Sequence, residues 1–131
     1  MNQRPPENRV SGDIIRAAYK VHTTLGPGLF ESVYEAALAH ELVQLGHHVA
    51  RQVPVPVRYG QIHFDFGFRV DLLVDNLVVV ELKSVERLLP AHKKQTLTYV
   101  RLAAKRLGLL LNFGATRIKD GIVRLVHGLP D

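Results

Sequence analysis

The chain has 131 residues, enough for one domain that buries roughly two-thirds of the surface its unfolded form exposes. It contains no cysteine, which excludes disulfides, thiolate metal sites and cysteine nucleophiles and fits a reducing, cytoplasmic setting. Lysine and arginine number 17 against 12 aspartates and glutamates; the net charge of +5 favours a polyanionic partner without requiring one.

Residues 1–9 are polar, carry two prolines and read as a flexible N-terminus, with a single domain over 10–131. MNQRPPENRV has no apolar h-region, so it is not read as a signal peptide. A first helix is expected from Ser11, a good N-cap, through Ile14, Ile15, Ala18, Tyr19, His22 and Leu25, stopped by Gly26-Pro27-Gly28. A second runs from Leu29 to Leu45 with an apolar stripe of Phe30, Val33, Tyr34, Ala37, Leu38, Leu42 and Leu45, closed by Gly46.

Gln52–Tyr59 alternates valines with Pro54 and Pro56, which marks an edge strand. Gly60 turns the chain into Ile62–Phe68, which continues or bends into Val70–Val74; Asp75-Asn76 is a turn. Leu77–Ser84 is almost continuously apolar, as in a central strand covered on both faces, and far short of the about 20 residues that cross a membrane. Pro90 opens a third helix expected to run to Leu107 and end at Gly108. Leu109–Phe113 is another buried strand, and Ile118–Val126 holds a turn and a last strand. The order predicts an α/β sandwich around a mixed sheet.

Three charged residues interrupt apolar surroundings: Asp71, and Glu81 with Lys83 at the end of Val78-Val79-Val80-Glu81-Leu82-Lys83. Residues two apart in a strand share a face, so Glu81 and Lys83 project together. Burying unpaired charges costs several kcal/mol each, and a divalent cation held by two carboxylates compensates well. An ordinary ion pair between Lys83 and one carboxylate accounts for the spacing equally well. A strict two-residue turn at Asp75-Asn76 would set Asp71 against Val80 and send its carboxylate to the face opposite Glu81. A shared cation therefore predicts an odd-length loop or a bulge between positions 71 and 81.

Glu31, at the edge of the second helix's stripe near Leu38 and Leu42, is the candidate third acidic group; a solvated helix-start glutamate is the alternative. Glu41, nearer the middle of that stripe, reads as a structural hydrogen-bond acceptor. On the third helix His92, Gln95 and Tyr99 share a face. Gln95 suits orienting a phosphate or a water, and Tyr99 suits either core or a nucleic-acid contact. Lys93, Lys94 and Arg101 give that helix a basic flank suited to phosphate contacts. The adjacent pair His47-His48 is no zinc signature, and no Gly-rich phosphate loop is present.

The ordered series Gly28-Leu29-Phe30-Glu31-Ser32-Val33-Tyr34, Arg51-Gln52-Val53-Pro54-Val55, Asp71-Leu72-Leu73-Val74, Glu81-Leu82-Lys83-Ser84, Gln95-Thr96-Leu97-Thr98-Tyr99 and Gly108-Leu109-Leu110-Leu111-Asn112-Phe113-Gly114 resembles the GxxExxY proteins, a branch of the PD-(D/E)XK nuclease superfamily. The resemblance runs from about Val10 to Val126. It implies a restriction-endonuclease-like core and matches Glu31, Asp71, Glu81 and Lys83 to the superfamily's helix glutamate, acidic residue and ExK pair, with Gln95 and Tyr99 on the helix that follows. Val70 stands where the superfamily's name has proline.

The expectation is phosphodiester hydrolysis, DNA before RNA, with Asp71, Glu81 and Glu31 holding Mg²⁺ (or Mn²⁺), and Lys83 and Gln95 completing the catalytic set. A non-catalytic nucleic-acid- or protein-binding module on the same fold is the rival. The small size and the proline-bearing edge strand fit a homodimer.

Overall fold

The computed structural model describes residues 4–130. Two helices come first, α1 (Pro6–Leu25) and α2 (Glu31–Gln44), then strands β1 (Val49–Tyr59), β2 (Ile62–Val74) and β3 (Val78–Lys83). α3 (Pro90–Leu102), β4 (Leu107–Asn112), a 3₁₀ turn (Ile118–Gly121) and β5 (Ile122–Val126) complete the chain. The five strands lie in the order β1-β2-β3-β4-β5. All neighbours are antiparallel except β3 and β4, which run parallel and are joined by the α3 crossover. This is the expected mixed sheet, with the proline-bearing strand at its edge.

One sheet face carries α1 and α2 over a core that includes Ile14, Tyr34, Leu38, Leu42, Leu72, Val74, Val80, Leu82, Leu109 and Phe113. The other carries α3 over a smaller cluster of Val70, Val79 and Val100, with Phe68, Leu73 and Tyr99 at its margin. β3 and β4 are covered on both faces, which is why their sequences are apolar at consecutive positions.

Two helix boundaries differ from the sequence expectation. α1 starts at Pro6, five residues before Ser11. Proline suits a helix's first turn because its missing donor would be unpaired there. Glu7 in that turn is buried and accepts two hydrogen bonds from Arg106, at 2.7 and 2.8 Å, which ties the helix start to the segment before β4. Residues 4–9 are therefore largely helical rather than loose, and residues 1–3 of the expected flexible terminus lie outside the described residues. α3 ends at Leu102, not Leu107; Ala104 turns the chain with φ +57°. Gly108 is a buried β4 residue rather than a helix stop, because a Cβ there would collide with the Val100 side chain of α3.

The β2–β3 connection has an odd length, one of the two alternatives, with a bulge, that the shared-cation argument allowed. Val74 pairs with Val78, Leu73 with Val79 and Leu72 with Val80, leaving the three residues Asp75, Asn76 and Leu77 in the loop. Asp75 and Asn76 both have left-handed φ (+54° and +56°), conformations these two residue types tolerate best after glycine. The Leu77 N–H donates to the Val74 carbonyl at 2.9 Å. His47 braces this loop: Nδ1 donates to Asp75 Oδ2 at 2.5 Å and Nε2 to Asp13 Oδ2 of α1 at 2.7 Å. Carboxylates only accept, so both ring nitrogens carry protons and the buried ring is an imidazolium.

Candidate active site

Val80 and Leu82 point into the α1/α2 core, so Glu81 and Lys83 face the α3 side of the sheet. The odd loop carries the register on from Leu72↔Val80 and sets Asp71 beside Glu81. There the two strands exchange main-chain for side-chain bonds. The Asp71 N–H donates to Glu81 Oε1 at 3.1 Å, and the Leu82 N–H donates to Asp71 Oδ2 at 2.8 Å.

Glu81 is 6% exposed, and its carboxyl is pushed up to about 8, first by burial and then by the negative charge of Asp71. The charges of the same two carboxylates act on Tyr99 of α3, whose phenol pKa is raised first by burial and then by Glu81 and Asp71. Tyr99 stacks on Phe68 of β2 with centroids 4.2 Å apart, which seats the ring at this margin of the sheet.

Lys83 is half-buried and makes no ion pair among the described residues. The simple strand-end ion pair weighed from the sequence is therefore absent. The chain beyond Lys83 is fixed by side chains that accept and donate to backbone. Asn112 Oδ1 accepts from the N–H groups of Val85 and Gly114, each at 3.0 Å. Ser84 Oγ donates to the Leu29 carbonyl at 2.6 Å. Tyr34, fully buried and stacked on Phe113 at 4.6 Å, sends its hydroxyl to the Gly26 carbonyl (2.5 Å) and receives the Leu29 N–H (3.1 Å). The tyrosine of the Glu31-Ser32-Val33-Tyr34 segment thus shapes the loop against which Ser84 rests.

Glu31 sits at the first position of α2 and is exposed. One turn later, on the stripe shared with Leu38 and Leu42, Glu35 is buried and linked to the strands. Arg51 Nε donates to Glu35 Oε2 at 3.0 Å. The Gln52 amide donates to Glu35 Oε1 and, at 3.3 Å, to Asp71 Oδ1. Glu35, Gln52 and Arg51 were not singled out from the sequence as site residues. The stripe itself carried the signal for Glu35, which stands three and seven residues before Leu38 and Leu42. Glu41 pairs with Lys20 of α1 at 2.7 Å, a contact between the helices. Gln95, Lys93, Lys94 and Arg101 are exposed on α3, the helix that covers the Glu81 face.

Among the described residues no three Asp, Glu, His or Cys side chains converge as a ready-made metal cluster. The donor chemistry at Asp71 and Glu81 nevertheless fits a hard divalent cation. Mg²⁺ is commonly carried by one or two carboxylates together with substrate phosphate, and a carboxyl held neutral first by burial and then by its neighbour's charge is a group that a dication would ionise. No described helix is long and apolar enough to cross a membrane.

No curated protein and no solved structure matches the chain significantly. The sequence profile of the PD-(D/E)XK nuclease superfamily matches residues 8–125.

Proposed function

The chain belongs to the PD-(D/E)XK nuclease superfamily, whose restriction-endonuclease-like fold its five-stranded mixed sheet reproduces, and on that premise we propose that it is a Mg²⁺-dependent nuclease acting on DNA. The observation that carries this reading is the pairing of Asp71 with Glu81, held by Asp71 N–H···Oε1, next to a Lys83 that makes no ion pair among the described residues. The ordered motifs from Gly28 to Gly114 support a place in the GxxExxY branch.

Asp71 and Glu81 are the residues that would hold the metal, and Mn²⁺ suits the same oxygen donors. A divalent cation bound there neutralises phosphate charge and lowers the pKa of water. Lys83 orients the attacking water and stabilises charge that builds on the phosphorane oxygens. Glu35, tied to Asp71 through Gln52, takes the place of the helix glutamate more naturally than exposed Glu31. Tyr99 of α3 feels the charge of both carboxylates, Gln95 on the same helix would orient phosphate or water, and Lys93, Lys94 and Arg101 would supply phosphate contacts along it. A homodimer would widen this small basic surface enough to follow a duplex.

The test is cleavage of plasmid, single-stranded DNA and RNA with and without Mg²⁺, for the wild type and Lys83→Ala. DNA cleavage that needs the metal and is lost in the variant supports the reading. Full metal-dependent activity in Lys83→Ala overturns the assignment. Nucleic-acid binding with no cleavage at any metal concentration would favour the binding module instead.

A further inference from the structure

We propose that Gln52 is a positioning residue of this site, its side-chain amide holding the helix carboxylate of Glu35 against Asp71; the proposal rests on the nuclease reading above. Arg51 and Gln52 are consecutive strand residues, which should point to opposite faces of the sheet. Both instead reach the one carboxylate of Glu35. The backbone explains how: Gln52 has φ +52°, a left-handed conformation inside a strand. That conformation is disfavoured for any residue with a Cβ.

The ladder is interrupted at the same place. Arg51 pairs with Leu72 and Val53 with Val70, but Gln52 and Asp71 between them form no pair. The apolar alternation also changes face there in both strands. Val49 packs with the α1/α2 core, whereas Val53 and Val55 pack with the α3 cluster. Leu72 and Val74 lie in the first, Phe68 and Val70 in the second. The kink that frees Asp71 from the ladder and turns it toward Glu81 is therefore the kink that turns Gln52 toward Asp71.

Burial does not account for a strained residue at this point, because Gln52 is exposed. The residue type fits the task. A primary amide has two N–H donors on one nitrogen, one for each carboxylate, and carries no charge to compete with a cation. Strain retained at an exposed position, with the side chain joining two acidic groups from different elements, is the pattern expected where geometry serves a site.

The test uses Gln52→Gly, which relieves the left-handed backbone and removes the amide, and Gln52→Glu, which keeps the length and removes the donors. A positioning role predicts that Gln52→Gly keeps Tm within roughly 3 °C of wild type or raises it. In both variants kcat and Mn²⁺ affinity fall by about 10-fold or more, with KM for DNA within about 2-fold. Unchanged kcat and Mn²⁺ affinity overturn the proposal. A loss of activity in Gln52→Gly that merely follows a large fall in Tm overturns it as well, since the residue is then structural. If the wild type binds Mn²⁺ but cleaves nothing, the nuclease reading falls and Mn²⁺ affinity alone decides the role of Gln52. If the wild type neither binds Mn²⁺ nor cleaves, both fall.

Discussion

Asp71 and Glu81 meet across β2 and β3 through a main-chain donor and a side-chain acceptor: the Asp71 N–H reaches Glu81 Oε1 at 3.1 Å where a ladder bond would otherwise form. The contact places two carboxylates together in a buried setting, and its consequence is electrostatic. Burial and the Asp71 charge raise the Glu81 carboxyl from its ordinary 4.5 to about 8. In the metal-free protein the folded state therefore holds a proton that the unfolded chain has released. The stability this confers is complete below pH 4.5, declines as pH rises and is gone above about 8.

Glu81→Gln removes that titration. At pH 8–9 the metal-free variant is expected to melt above the metal-free wild type, and the difference should vanish near pH 4.5. A calorimetric pH series checks this, and a variant that melts lower at pH 9 refutes it.

On the proposed reading, Mg²⁺ would act on the same pair from the other side. A ligand that binds only the folded state, present at about 100 times its Kd, stabilises by about 2.7 kcal/mol. Metal should therefore raise the wild-type Tm most at pH 8 and little at pH 5, where Glu81 keeps its proton. Asp71→Asn and Glu81→Gln should show no metal-dependent shift.

Lys83→Ala separates chemistry from folding. The side chain is half-buried and pairs with no described carboxylate, so a Tm change of no more than a few degrees is expected. On the proposed reading, in which Lys83 stabilises charge on the phosphate, its loss should cost about 10²–10³ in kcat. Single-turnover cleavage at saturating Mg²⁺ measures it.

His47 sets a second pH window. Burial alone would lower its pKa, but hydrogen bonds to Asp75 and Asp13 outweigh burial and raise it above 6.5. Its stabilisation is complete below 6.5 and lost as pH rises through the raised value. Asp13 is lowered chiefly by its bond to His47; Asp75, despite burial that opposes it, is lowered by the same ring. Both contribute fully above 3.8 and lose their contribution as pH falls through their depressed values. The clamp is thus strongest between about 4 and 6.5. His47→Ala should cost about 1–3 kcal/mol in that window and less at pH 9, by denaturant titration.

Tyr34→Phe keeps the ring stacked on Phe113 and deletes the hydroxyl that receives the Leu29 N–H and donates to Gly26. Two lost bonds, one leaving an N–H without its partner, should cost about 1–3 kcal/mol. Faster amide exchange should be confined to the Gly26–Leu29 loop and Ser84.

The sequence by itself determined what depends on spacing along the chain. The two-residue period put Glu81 and Lys83 on one face, the prolines sent β1 to the edge, and unbroken apolar runs marked β3 as central and β4 as buried. Even the need for an odd loop or a bulge between positions 71 and 81 followed from parity alone. What the tertiary structure decided is which remote groups meet. Glu35 rather than Glu31 is the α2 glutamate that contacts the strands, because the outcome depends on how α2 lies on the sheet and not on helical period. His47 between Asp13 and Asp75 joins α1 to the β2–β3 loop, and residues 34 and 28 apart in sequence have no local pattern to announce their contact. Gln52 was hidden for a different reason. Periodicity assumes a regular strand, and the left-handed turn at Gln52 breaks that rule where β1 and β2 change the face they present.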